Sequence, residues 1–186
     1  MSVSAINLET LVSNAYYCRK NFTYEQYINQ VVDLLYQGFS NFDMFGDEVF
    51  NKYNKSGNKH PAFTICHNFL TIWVYEDGKL FKNEYDVYTK WCERCGHNHY
   101  SPEQLVEYRR SFDQKAYKTL SSFFRELRPY ISSGYYQNFV YGLVMLSLLD
   151  DREFGLYTFN ALTWILDKDL DNYPSYNELM SKVYKW

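Results

Sequence analysis

Apolar residues recur along most of this chain at intervals of three or four positions, which is the spacing of one face of an α-helix. One such face carries, at i, i+4, i+7 and i+8, Tyr27, Val31, Leu34 and Leu35. No stretch alternates apolar and polar residues with the Val, Ile and Thr enrichment that is typical of a strand. The pattern predicts an all-α protein.

The periodicity predicts helices at residues 5–18, 24–38, 42–53, 62–76, 82–94, 102–127, 132–149, 156–167 and 175–184. Three of their starts carry a capping box, in which a hydroxyl accepts from the N3 amide and the N3 side chain reaches back. The boxes are Thr23–Gln26, Ser101–Gln104 and Ser175–Glu178. Pro102 stands at a first helical position, where its missing N–H costs nothing.

The sequence contains two similar segments, Ile72–Tyr85 and Leu146–Phe159. Each copy has an apolar run, an acidic pair, a turn and a second helical run. We therefore expect a bundle of about eight or nine helices in which hairpins 62–94 and 132–167 are related by a pseudo-twofold axis. The expected shared core comprises Trp73, Val74, Tyr88, Trp91, Val144, Leu148, Leu162 and Ile165.

The chain of 186 residues is expected to form a single domain, long enough to bury one good core. Residues 1–55 would be accessory N-terminal helices and residues 60–186 the duplicated-hairpin core. The chain is unusually aromatic, with 20 Tyr and 14 Phe. Tyrosine suits helices that are half in the core, because its ring packs while its hydroxyl stays in water.

The acidic corners of the two hairpins are candidate divalent-metal sites. Asp77-Gly78 followed by Glu84 is similar to the end of an EF-hand loop, but Trp73 and Tyr75 would occupy earlier ligand positions and cannot bind calcium. What remains is a weak site for Ca²⁺, Mg²⁺ or Mn²⁺. Its candidate ligands are Glu76, Asp77 and Glu84, with Asp150 and Asp151 as a second half. In the alternative, Asp77-Gly78 makes a turn and Glu84 stabilises the first turn of the next helix.

This arrangement resembles the TerB-like family, named for tellurite resistance. The matching residues are Asp77, Gly78 and Glu84, with Asp150-Asp151 as a degenerate copy in which Arg152 replaces the glycine. The resemblance covers residues 60–170 and leaves the first 55 residues unmatched. It implies an all-helical, metal-associated module built from a pseudo-twofold pair of hairpins and linked to stress or defence systems.

Cys92-Glu-Arg-Cys95-Gly-His97-Asn-His99 places four potential zinc ligands in eight residues. Cys66 or His67 would complete the tetrahedron if their helix lies beside the helix that ends at Cys95. In the alternative, Cys92 is a core residue, Gly96 caps the helix and His97 lies in a loop. A redox Cys-x-x-Cys is a further alternative, although no βαβ pattern surrounds it.

Net charge of −3 and dispersed basic residues argue against a nucleic-acid partner. No run of 18 apolar residues predicts a membrane span, and residues 1–7 lack the pattern of a signal peptide, so we expect a cytosolic protein.

No phosphate-binding loop, nucleophile elbow or His-Glu-x-x-His motif indicates catalysis. The leading hypothesis is therefore a non-catalytic interaction module that binds a protein partner or itself. The alternative is a metal-dependent hydrolase or nuclease, for which Asp77, Glu84, Asp150 and Asp151 must converge.

Overall fold

The computed structural model describes residues 6–40, 80–110, 122, 133–149, 153–166 and 175–186. These ranges contain seven helices and no strand, so the all-α prediction is confirmed for them. The helices are α1 (Leu8–Asn21), α2 (Tyr24–Ser40), α3 (Lys82–Cys95), α4 (Pro102–Arg110), α5 (Ser133–Ser147), α6 (Leu156–Leu166) and α7 (Tyr176–Lys182). The helices expected at 42–53 and 62–76, and most of 102–127 beyond Arg110, lie outside the described residues.

The capping residues fix the starts of α2, α4 and α7 as the sequence predicts. Thr23 Oγ1 accepts from the Gln26 amide at 3.2 Å, and Gln26 Oε1 accepts from the Thr23 amide at 2.9 Å. The corresponding bonds at Ser101 and Gln104 measure 3.2 and 2.9 Å. Ser175 Oγ accepts from the Glu178 amide at 3.1 Å. Each helix begins one residue after its capping hydroxyl.

The prediction for the first helix is wrong by three residues at each end. The helix begins at Leu8 because the Asn7 side chain accepts from the Thr10 amide at 3.1 Å, which makes Asn7 the N-cap. At the other end the helix continues to Asn21, and the Phe22 amide bonds the Cys18 carbonyl at 2.8 Å. Lys20 and Arg19 in the last turn suit the negative end of the helix dipole.

Helix α2 is the centre of the described packing, since it contacts α5 along one side and α3 along another. Helix α1 packs on α5 and α7. The buried residues of α2 form one helical face, comprising Tyr27, Ile28, Val31, Val32, Leu34 and Leu35. The second half of α5 is buried on every side, from Gly142 through Leu146. Such all-round burial is typical of a helix inside a core.

Helices α2 and α5 lie close together at Gly142. A Cβ added there would lie 3.0 Å from Leu35 Cδ2 and 3.2 Å from Leu34 Cβ. Contacts this short are tighter than ordinary packing, and Leu35 is fully buried and so has little room to move. The short distance between the two helices therefore favours glycine at this position.

Five of the eight expected core residues are buried, with at most 1% exposure. They are Tyr88, Trp91, Val144, Leu148 and Leu162. Trp73 and Val74 lie outside the described residues, as does the side chain of Ile165. The core assignment is thus confirmed where it can be compared, whereas the pseudo-twofold relation of the hairpins stays a prediction.

Tyrosine hydroxyls hold the backbone between helices, which corrects the expectation that they remain in water. The Phe154 amide donates to Tyr16 Oη at 2.9 Å, and Tyr176 Oη donates to the Phe154 carbonyl at 2.6 Å. Tyr100 is held in the same way, because its amide donates to Tyr88 Oη at 3.1 Å and its carbonyl accepts from Tyr85 Oη at 2.9 Å. Each pair of hydroxyls satisfies the backbone N–H and C=O of one residue, Phe154 or Tyr100, that lies outside the helices.

The short distances at Gly142 predict that a larger residue at this position lowers the stability of the protein by a measurable amount. Gly142→Ala gains about 0.5–1 kcal/mol of helix propensity but overpacks the core at a cost of about 1–3 kcal/mol. We expect a net loss of about 1 kcal/mol in the free energy of unfolding, measured by urea denaturation. Most of that loss should disappear in a Leu35→Ala background, because the atoms nearest the new methyl are then absent.

The control is Gly155→Ser, whose new Cβ meets only the Glu153 carbonyl oxygen at 3.9 Å. Since Gly155 directly precedes α6, where serine is a good N-cap, its stability should change by no more than about 0.5 kcal/mol. Stabilisation by Gly142→Ala, or an equal cost in both backgrounds, would contradict the close approach of α2 and α5.

Candidate functional site

Of the five carboxylates proposed to bind a divalent cation, only Glu84 lies in the described residues; Glu76, Asp77, Asp150 and Asp151 do not. Glu84 is 6% exposed in the first turn of α3, and its Oε2 accepts from the Phe81 amide at 3.4 Å. A carboxylate in this position accepts a hydrogen bond from an amide that the helix leaves unsatisfied. Its negative charge also interacts favourably with the positive end of the helix dipole. The position of Glu84 is therefore compatible with the helix-stabilising alternative, and the metal site stays a prediction.

The Cys-x-x-Cys segment has the geometry of an ordinary helix C-terminus. Cys92 is fully buried on the core side of α3, and Gly96 follows the helix in the left-handed conformation with φ 72° and ψ 25°. The His97 amide bonds the Cys92 carbonyl at 2.9 Å, which is the long bond of a Schellman motif. His99 is exposed, and its ring meets the Tyr85 ring edge-on at 6.2 Å between centroids.

Within the described ranges, no three His, Cys, Asp or Glu side chains form a group that could hold a metal ion. Cys92, Cys95, His97 and His99 all lie in these ranges, so they do not form a three-ligand group among themselves. Cys66 and His67, which were expected to complete the tetrahedron, lie outside the described residues. The zinc cluster as a whole therefore remains a prediction.

Burial makes both cysteines of α3 poor nucleophiles. It raises the pKa of the Cys92 thiol to about 11, although a hydrogen bond with Tyr88 acts in the opposite direction. Burial likewise raises the pKa of Cys95 to about 12, an effect that Arg94 only partly offsets. Reactive Cys-x-x-Cys pairs have depressed pKa values, because the thiolate is the attacking species. These two pKa values therefore do not favour the redox interpretation.

A cavity of about 270 Å³ lies where the end of α1, the starts of α2 and α3, and the two residues that follow α5 meet. Within the described ranges its lining residues are Arg19, Phe22, Thr23, Tyr24, Tyr27, Asn83, Leu148 and Leu149. Asn83 belongs to the helix that follows the first acidic corner, and Leu149 directly precedes the second. The cavity thus lies beside α3 and beside the residues that precede the second acidic corner. None of the lining residues named above is one of the proposed metal ligands.

The floor of the cavity is apolar and its rim is polar. Leu148, Leu149 and Tyr27 are at most 4% exposed, whereas Tyr24 is 50% exposed. The Tyr27 hydroxyl donates to the Met145 carbonyl. Burial raises the pKa of Tyr27 far above its usual value, and the positive charge of Arg19 lowers it in part. The charge of Arg19 therefore acts on the floor of the cavity.

A second feature of the surface is an exposed aromatic cluster, which we call the aromatic surface and which consists of Tyr17, Tyr184 and Trp186. Their exposed fractions are 45%, 62% and 53%. The Trp186 ring lies 5.0 Å from the Tyr17 ring and 4.6 Å from the Tyr184 ring, between centroids. Ser13 fixes this arrangement, because Ser13 Oγ accepts from the Tyr184 amide at 3.1 Å and the Ser13 carbonyl accepts from Trp186 Nε1 at 3.2 Å.

Sequence reasoning missed both the cavity and the aromatic surface. Tyr17 and Trp186 are 169 positions apart, and no local periodicity relates them. The sequence signal was the high aromatic content, which the packing of amphipathic helices also explains. Only the tertiary arrangement separates the exposed rings from the buried ones.

The comparisons with protein-family models, with curated proteins and with solved structures gave no match for this chain.

The thiol pKa values predict how stability depends on pH. A thiol with a pKa raised in the folded state contributes stability that is complete below the unfolded pKa of about 8.5 and is lost as the pH rises toward the folded value. We expect the free energy of unfolding to fall as the pH rises above about 8.5, and because tyrosines with a pKa of about 10 begin to ionise in the same range, the part that comes from Cys95 is obtained by comparison with a variant. Cys95→Ala should make this fall less steep, measured by urea denaturation at several pH values.

Zinc ligation would reverse the expected trend. Zinc-bound cysteines are thiolates with depressed pKa values, so the contribution of Cys95 to stability would fall on acidification and would not decrease from about pH 8.5 to about pH 10. Equal slopes for wild type and Cys95→Ala across that window would contradict the neutral-thiol assignment.

Proposed function

We propose that this protein is a non-catalytic helical interaction module that binds a protein partner through the aromatic surface of Tyr17, Tyr184 and Trp186. The observation that carries the proposal is the exposure of these three rings, at 45%, 62% and 53%, in direct contact with one another. Tyrosine and tryptophan are the residues most enriched among those that dominate binding energy at protein interfaces. Contiguous exposed apolar area of this kind marks interaction surfaces.

The rings are held in place before any partner binds. Both the Tyr184 amide and the Trp186 indole are bonded to Ser13, so the segment 183–186 is anchored on α1. Next to it, Lys185 Nζ donates to Glu153 Oε1 at 2.9 Å, which adds a charged contact beside the rings. Ordering such side chains on binding costs about 0.5–1.5 kcal/mol each, and a surface that is already ordered avoids part of this cost.

Several finer features belong to the same proposal. We infer a cytosolic, TerB-like bundle of about eight or nine helices with two pseudo-twofold hairpins, and a weak divalent-metal site at Glu76, Asp77 and Glu84. The all-helical described ranges and the acidic corner in the sequence support these inferences. No helix in the described ranges has the length and apolar character needed to cross a membrane. The partner is either another protein of the same cell or a second copy of this chain.

Affinity capture from the native cell tests the proposal. Immobilised wild-type protein should retain a specific partner that Tyr184→Ala/Trp186→Ala retains at least about tenfold less, because each ring removed from a hot spot costs about 2 kcal/mol or more. The retained protein is identified by mass spectrometry, and its affinity is then measured with purified components. Sedimentation of the wild type and the double variant tests whether the partner is a second copy.

The matched control is Leu156→Ala, which truncates a side chain with 54% exposure outside the aromatic surface. This variant should retain the partner as the wild type does, and all variants should melt at temperatures close to that of the wild type. A specific partner that the double variant binds with unchanged affinity would place the interface elsewhere.

A further inference from the structure

The two tyrosine hydroxyls of the aromatic surface are available to a partner. Tyr17 and Tyr184 are 45% and 62% exposed. Neither hydroxyl forms a hydrogen bond with another residue of the described ranges. The Trp186 indole N–H, by contrast, already donates to the Ser13 carbonyl. The aromatic surface therefore offers three apolar rings and two O–H donors.

These two donors favour a particular backbone conformation in the partner. The carbonyls of an α-helix are already bonded within the helix, so a helical segment offers mainly its side chains. Strand addition needs an open sheet edge, and the described part of the chain contains no strand. A polyproline II segment has no internal hydrogen bonds, so its carbonyls can accept from both tyrosines.

The rings themselves suit the side chains of such a segment. The Tyr17 and Tyr184 rings lie 5.0 and 4.6 Å from the Trp186 ring and meet it at 77° and 71°, which gives a stepped surface instead of a flat one. Aromatic surfaces dock proline-rich segments, whose conformation is largely fixed before binding. One turn of polyproline II contains three residues, each rising about 3.1 Å, and is therefore long enough to reach all three rings.

The charge beside the aromatic surface favours an acidic segment. Lys20 lies one turn after Tyr17 in α1, is exposed, and forms no ion pair or hydrogen bond with any residue that the structure describes. Lys185, also next to the rings, is neutralised by Glu153 at 2.9 Å. A partner carboxylate would complement Lys20. Because polyproline II repeats every three residues, an acidic residue at every third position keeps the carboxylates on one edge and the prolines on the other two.

We propose that the aromatic surface binds an acidic, proline-rich segment of its partner in the polyproline II conformation. The prolines pack on the rings of Tyr17, Tyr184 and Trp186, and the two tyrosine hydroxyls donate to carbonyls of the segment. A carboxylate of the segment pairs with Lys20. This partner class rests on the proposed function, because it specifies what the same surface recognises.

Fluorescence anisotropy with a labelled peptide of three Pro-Pro-Glu repeats tests the proposal on the full chain. The peptide should bind in a saturable way, and NOEs should link its proline rings to the rings of Tyr17 and Tyr184. A peptide of three Ala-Ala-Glu repeats has the same charge but lacks the proline rings and the fixed conformation, so it should bind at least about tenfold more weakly. Three Pro-Pro-Lys repeats should also bind more weakly, because Lys20 repels them.

Single substitutions test the individual contacts. Tyr184→Phe keeps the ring and removes one donor, so it should weaken binding about two- to tenfold. Lys20→Gln should weaken binding about two- to fivefold at low salt, because an exposed ion pair contributes little. Binding of three Pro-Pro-Gln repeats should not change in Lys20→Gln. The matched control is Lys90→Gln, which removes one positive charge from α3, where Lys90 donates to Asn29 at 3.4 Å. This control should bind the acidic peptide as the wild type does.

Several results would overturn the proposal. They are no saturable binding of the Pro-Pro-Glu peptide, equal binding of the Ala-Ala-Glu or Pro-Pro-Lys peptide, and unchanged binding to Tyr184→Ala/Trp186→Ala. The peptide comparisons use the wild type, so they are decisive even if a variant does not fold.

Competition separates this proposal from the proposed function. A cellular partner that requires Tyr184 and Trp186 but is not displaced by the Pro-Pro-Glu peptide would contradict the polyproline II segment and leave the interaction module in place. A helical partner would give this result. A cellular partner that does not require these two rings would contradict the proposed function itself.

Discussion

The close approach of α2 and α5 at Gly142 is the constraint on which the rest of the described structure depends. It brings the backbone of α5 against Leu34 and Leu35, where any larger residue would meet atoms at 3.0–3.2 Å. The two helices run antiparallel, because Gln37 meets Asn138 at one end of the contact and Tyr27 meets Met145 at the other. Helix α2 also contacts α3, and α5 also contacts α1. The packing of α2 on α5 therefore positions both α1 and α3.

The same crossing explains where the candidate sites lie. The antiparallel packing places the start of α2 beside the end of the α5 segment, and the cavity opens at this junction. Helix α1 reaches it with Arg19, whose aromatic support, Tyr16, also bonds the segment before α6. On the outer side of α1, Ser13 anchors the aromatic surface. One helix therefore contributes to the cavity and to the aromatic surface.

Local signals in the sequence predicted the local structure well. Thr23, Ser101 and Ser175 marked helix starts correctly because a capping hydroxyl acts on an amide three residues away. Gly96 marked a helix end for a similarly local reason, since the left-handed conformation suits a residue without a Cβ. Asn7 has the same capping chemistry and was missed because the apolar periodicity extends past it.

Tertiary features were not predictable in this way. The tyrosine pairs that hold Phe154 and Tyr100 join residues 12 to 138 positions apart. The cavity likewise combines side chains from three helices and from the residues that follow α5. The acidic corners and the Cys-His segment attracted functional hypotheses because their residues are adjacent in sequence. In the described structure Glu84 lies in the first turn of α3 and Cys92 lies on its buried face, while the metal and zinc hypotheses stay predictions.

Native-state hydrogen exchange tests the central role of the α2–α5 crossing most directly. If this contact organises the core, the amides of Val31 and Leu35 in α2 and of Val144 in α5 should exchange only through global unfolding. Their exchange free energies should then equal the free energy of unfolding measured with denaturant, while the amides of the short helix α7 should exchange at lower free energy. Exchange of α2 or α5 at markedly lower free energy than α1 and α3 would contradict this account.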